Sequence, residues 1–136
     1  MDSAYRLVLE RPSTDDYQRL RKESGLSERT REEAESGIRG GWASAIVIHV
    51  ESGETVGMGR VVGDGGTYFV IIDMAVLPQH QRKGIGDAIM TALLARIREA
   101  SPGALVSLLA DPPGRRLYAR HGFVESAPDS IGMWRR

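Results

Sequence analysis

Asp73-Met-Ala-Val-Leu-Pro-Gln-His-Gln-Arg-Lys-Gly-Ile-Gly86 is the stretch on which the reading of this chain turns. It begins inside Tyr68 to Val76 (YFVIIDMAV), a nearly continuous apolar run of the kind found in a central strand covered on both faces. Pro78 ends that strand. Downstream, Ile85, Ala88, Ile89, Ala92, Leu93, Ile97 and Ala100 recur at helical spacing, with Asp87, Thr91, Arg98 and Glu99 opposite, until Ser101-Pro102-Gly103 stops the helix. A buried strand therefore leads through a short loop into a helix that opens on two glycines. The first N–H groups of a helix have no internal partner, and the dipole places its positive end there, so this is an anion site in outline. Gly84 and Gly86 carry no side chain to hold a phosphate away, and Arg82 and Lys83 add charge at the rim. Two glycines alone more often mark a plain tight loop.

Two other phosphate motifs fail on spacing. A P-loop needs Gly-Lys followed by Ser or Thr, and Lys83 precedes its glycine. A dinucleotide fingerprint starts at the strand end, whereas seven residues separate Val76 from Gly84 and Ile89 stands at the third glycine position.

Outward from this centre the pattern is mixed. Tyr5 to Glu10 reads as a strand, followed by a helix capped at Ser13 or Thr14 and running to about Lys22, with Asp15 and Asp16 in its first turn. A polar helix is predicted from about Glu28 to Glu35, capped by Ser27 and ended near Gly37. Its thin apolar face suggests a mobile flap more than a core element. Ser44 to Val50 alternates as a half-buried strand, and Thr55 to Val62 returns from the Ser52-Gly53 turn. Leu105 to Ala110 reads as a buried strand, Gly114 to about Arg120 as a short helix, and Phe123 to Ser126 and Ile131 to Arg135 as two last strands. The order β-α-α-β-β-β-α-β-α-β-β predicts one α/β domain over residues 1–136, a mixed, mostly antiparallel sheet flanked by helices.

Composition excludes several classes of function. Lys plus Arg and Asp plus Glu number 18 each, so no global basic field gathers nucleic acid or an anionic membrane. The chain has no cysteine, which removes disulfides, thiolate metal sites and a cysteine nucleophile, and His49, His80 and His121 lack paired metal-ligand spacing, so no metal is expected. No stretch approaches the roughly 20 apolar residues of a membrane helix, and no signal order opens the chain; a cytoplasmic location is the expectation.

The central segment resembles the acyl-CoA signature of the GNAT family of N-acetyltransferases: Gln or Arg, two residues, Gly, one residue, then Gly or Ala, after a strand ending in Val-x-Pro. Gln81, Gly84 and Gly86 match it behind Val76-Leu77-Pro78. A second stretch, Ala110 to Phe123, resembles the family's later motif through Tyr118 and the Gly122-Phe123 pair. Asp111 stands where many members carry Asn. The resemblance implies that acetyl-CoA is the cofactor, that Gln81, Arg82, Lys83, Gly84, Ile85 and Gly86 grip its pyrophosphate, and that Met74, Ala75 and Val76 pair with its pantetheine like an added strand. Asp111 and Tyr118 would lie near the same arm. The cleft would open between the strand ending at Val76 and the one ending at Ala110.

Amine acetylation then sets requirements. A lysine-like amine of pKa about 10.4 is neutral in only about 1 in 2,500 molecules at pH 7, a cost of about 4.6 kcal/mol. Asp73 is the nearest acidic candidate for a base; it reads equally as a hydrogen-bonded strand carboxylate or a substrate-orienting group. A backbone N–H near Met74 to Val76 would face the developing oxyanion. Tyr118 is the candidate acid for the leaving thiolate, or else a packed aromatic. Tyr17 and Trp42 would line an acceptor pocket or pack the core. The acceptor class is a small-molecule or peptide amine. A homodimer is common among look-alikes, and the sequence leaves it open. A non-catalytic acyl-CoA sensor and a general nucleotide module are the rival readings.

Overall fold

The computed structural model describes residues Met1–Arg136. Its elements are β1 (Tyr5–Val8), α1 (Thr14–Glu23), α2 (Arg31–Gly40), β2 (Ala43–His49), β3 (Thr55–Gly63), β4 (Tyr68–Val76), α3 (Ile85–Ala100), β5 (Leu105–Ser107) and α4 (Arg115–Arg120), with single 3-10 turns at Pro78–His80 and Pro112–Gly114. The sheet order is β1-β2-β3-β4-β5. The first three pairings are antiparallel and the last, β4 with β5, is parallel. This is the mixed, mostly antiparallel α/β domain expected from the sequence.

Strand β3 sorts the helices onto the two faces. Gly57 and Gly59 point one way, and a Cβ built on them would stand 2.8 Å from Ile85 and 2.6 Å from Ile89, so only glycine lets α3 approach this closely. Ile85, Ile89, Met90, Leu93 and Ile97 of α3 are buried there, each contributing about 1.5–3 kcal/mol of transfer free energy. Arg60 points the other way, to the carbonyl of Gly37 in α2 and toward α1. Covered on both faces, Thr55 to Val61 is buried throughout. No helix is long and apolar enough to cross a membrane.

Local rules account for the helix ends. Ser13 Oγ accepts from the Asp16 amide and starts α1 as read. The second helix begins later than predicted, at Arg31, because Thr30 and Glu33 form a reciprocal capping box, while Ser27 is taken by the Arg21 guanidinium. It runs through Gly37 to Gly40 and buries Ala34 and Ile38, so it is a core element and not a flap. Likewise β2 is covered on both faces over Ser44 to Val47.

The largest departures lie at the far end. The strand predicted over Leu105 to Ala110 pairs only over Leu105–Ser107, opposite Tyr68–Val70, because β4 bulges away beyond that point. The two strands predicted over 123–126 and 131–135 do not form.

Candidate active site

Between Met58 and Arg60 the β3–β4 register slips by one residue, so that Gly59 faces both Asp73 and Met74. This is a β-bulge, with Asp73 in the left-handed region at φ 57°. Past the bulge, β4 has no ladder partner on its β5 side from Ile71 to Val76. The sheet opens there into a notch lined by strand-edge backbone. Val76 O accepts from the side-chain amide of Gln81 (3.1 Å), which folds the following loop back against the strand end.

That loop leads into α3 through two left-handed residues, Arg82 (φ 63°) and Gly84 (φ 79°), the alternating conformation that turns successive N–H groups inward. Gly84 is the N-cap and offers no side-chain acceptor. The amides from Arg82 to Asp87 find no acceptor within the chain, while that of Ala88 bonds to Gly84 O at 3.1 Å. Six consecutive free donors at the positive end of a helix are what a pyrophosphate needs. The implied cofactor would meet a donor cradle and an unpaired strand edge in series, and the residues present fit it.

Helix α4 docks on the start of α3. A Cβ on Gly86 would stand 3.1 Å from Leu117, and Asp87 is bonded by Arg120 (3.0 Å) and His121 (2.9 Å). The Arg120 hydrogen bond, with His121 behind it, holds the Asp87 carboxyl below its ordinary range. His121 thus stands at the C-terminal end of α4 and is spent on Asp87. Tyr118, next to Leu117, folds over Gly114, whose virtual Cβ would lie 2.9 Å from the phenol oxygen. Burial first, and the nearby negative charge of Asp111 second, push the phenol above its ordinary value. Asp111 itself is exposed.

Asp73 faces elsewhere. One carboxylate oxygen accepts from Arg21 (2.5 Å), the other from Arg60 (2.8 Å) and the Tyr17 hydroxyl (2.9 Å). Burial, then the Asp73 charge, raise the Tyr17 phenol. Both arginines are buried, and Arg60 Nε has no partner. The cluster ties α1 and, through Gly37 O, α2 to the bulge. Arg21 and Arg60 escaped the sequence reading. The available signals were an arginine inside the otherwise apolar TVGMGRVV strand, and the i, i+4 spacing of Tyr17 and Arg21 on the face that buries Leu20.

The remaining aromatic candidates pack. Trp42 meets Phe69 edge-on at 4.6 Å and carries the Arg96 guanidinium over its ring at 4.6 Å. His80 bonds the Tyr5 hydroxyl (2.7 Å) and lies 5.2 Å from the His49 ring, fastening the turn after β4 to β1 and β2.

Comparison with known proteins agrees with this geometry. Residues 42–125 match the family model described as an acetyltransferase (GNAT) domain. A structure from meticillin-resistant Staphylococcus aureus, SA2161, described as a probable acetyltransferase, is 38% identical, with 97% of this chain and 98% of that one covered and a TM-score of 0.91. A GNAT-family acetyltransferase of Streptococcus pneumoniae TIGR4, SP0256, is 25% identical over 97% and 98% of the two chains, with a TM-score of 0.80. An uncharacterised N-acetyltransferase of Porphyra purpurea, ycf52, is 30% identical over 97 residues, 67% of this chain. The chain spans about half of that curated relative, 55% of its length.

Proposed function

The chain belongs to the GNAT acetyltransferase family, and on that premise we propose that it transfers the acetyl group of acetyl-CoA directly to the amine of a small molecule or peptide. The observation that carries the reading is the run of partnerless amides from Arg82 to Asp87, placed directly after the unpaired edge of β4.

When bound, acetyl-CoA supplies an activated thioester acetyl. The amides of Arg82 to Asp87 bind the pyrophosphate, with Arg82 and Lys83 at the rim, and Gln81 braces the loop. The edge of Met74 to Val76 orients the pantetheine arm, and an amide there donates to the oxygen that gains charge, in a site that needs no reorganisation. Tyr118 holds its proton well into the alkaline range and delivers it from its hydroxyl to the departing sulfur. Asp73 acts as a positioning residue: its oxygens already accept three hydrogen bonds, so the amine loses its proton to water.

The test is a panel of amines, each with acetyl-CoA, read as release of CoA thiol. The protein has no cysteine to contribute background. Amine-dependent thiol release that requires Tyr118 supports the reading. Binding of acetyl-CoA without turnover on any amine would favour the sensor instead.

A further inference from the structure

Tyr5, His49 and His80 form a ring cluster that no step of acetyl transfer uses. Strand register sets Tyr5 opposite His49, and the turn Pro78–His80 brings His80 against both. Ring centres lie 5.5 Å and 5.6 Å from Tyr5 to the two imidazoles and 5.2 Å between the imidazoles. Each imidazole is fixed through Nδ1, His80 by the Tyr5 hydroxyl (2.7 Å) and His49 by the Ser52 hydroxyl (2.8 Å). Both hydroxyls can accept the Nδ1 proton, the tautomer that leaves the Nε2 lone pairs free. Neither Nε2 has a partner within the chain, and neither is sealed from water.

A histidine held at Nδ1 and free at Nε2 is oriented as metal-ligating histidines are. The separation agrees. Two imidazoles ligating one tetrahedral ion at about 2.0–2.1 Å hold their ring centres about 5.2 Å apart, whereas neighbouring positions on a square-planar ion bring them to about 4.5 Å. Tetrahedral geometry with nitrogen ligands favours Zn2+. The carboxylates of Asp2 and Glu51 line the surface hollow beside His49 and add negative charge near a cation. The expectation of no metal rested on spacing along the chain. The register of β1 with β2 and the turn after β4 supply the pairing that spacing does not.

We propose that His49 and His80 bind one Zn2+ through their Nε2 atoms. No third His, Cys, Asp or Glu closes the set, so water fills the remaining positions and the ion exchanges. The bound ion ties the turn Pro78–His80 to β2, just ahead of Gln81. The site stands apart from the acetyltransferase reading and does not depend on it.

Calorimetric titration of zinc chloride into the intact chain, without acetyl-CoA, tests this. The expected result is saturation at one Zn2+ per chain and no uptake of Mg2+, which prefers oxygen ligands. His49→Gln and His80→Gln each remove a ligand and are expected to weaken binding by about ten-fold or more. Proton NMR of the wild type gives a readout independent of any variant. The ring signals of His49 and His80 shift with Zn2+, and those of His121, bonded to Asp87, stay in place. No saturation, equal uptake of Mg2+, undiminished binding in either variant, or Zn2+ moving the His121 signals would each overturn the proposal.

Discussion

The ring of Tyr118 rests directly on Gly114, close enough that a Cβ at that position would stand 2.6 Å from ring Cε2. Glycine is required here by space and not by backbone, since its φ of −95° suits any residue. Gly114→Ala must therefore swing the phenol away while leaving the fold intact. The expected outcome is a kcat loss of about 10²-fold or more, like that of Tyr118→Phe, with a melting curve close to wild type and acetyl-CoA affinity within a few fold. An unchanged kcat in both variants removes Tyr118 from the proton path.

The same phenol has a pH signature. Burial and Asp111 raise it above 10.0, so it stays protonated through the neutral range and ionises only beyond that value. In stability terms the folded state then binds more protons than the unfolded state above pH 10. Its contribution is intact below the unfolded pKa and lost as pH climbs through the folded one. Asp111→Asn removes the second cause, so the tyrosinate absorbance that disappears in Tyr118→Phe is expected to rise at lower pH than in the wild type. The alkaline limb of kcat should move the same way. No movement, or movement to higher pH, contradicts the assignment.

Asp73 balances two buried guanidiniums alone. Asp73→Asn keeps a residue that tolerates positive φ but leaves Arg21 and Arg60 uncompensated, at a cost of about 3–5 kcal/mol in denaturant unfolding. Adding Arg60→Met should recover part of that loss, because the pair is coupled. Strict additivity would mean that the ion pair contributes little.

Close packing of α3 on β3 makes a further prediction. Gly59→Ala places a methyl 2.6 Å from both Ile89 and the Met74 sulfur, and is expected to cost about 1–3 kcal/mol. Because Met74 belongs to the bulge, acetyl-CoA affinity should fall as well. A neutral substitution would show that the helix can withdraw freely.

How much of this was legible in the sequence depended on whether the signal was local. The bounds of β4, the start of α3 and the glycine loop follow from apolar runs and glycine spacing, and each appears where read. The Thr30 and Glu33 capping box was equally local, but Ser27 offered a competing cap whose oxygens are consumed by Arg21 from another element. The two arginines on Asp73 were illegible because they reach it from β3 and α1, across as many as 52 residues. The strands expected at 123–126 and 131–135 show the converse. Their alternation is genuine, but a strand needs a neighbour to bond, and neither segment lies in a ladder.

Calorimetric titration of acetyl-CoA into the pure protein, with ATP as competitor and Lys83→Glu as the charge-reversed control, decides whether the loop before α3 holds the cofactor. Saturable binding of one acetyl-CoA per chain, weakened in Lys83→Glu and little disturbed by ATP, is the expected result. No saturable binding, or ATP binding equally well, would contradict it.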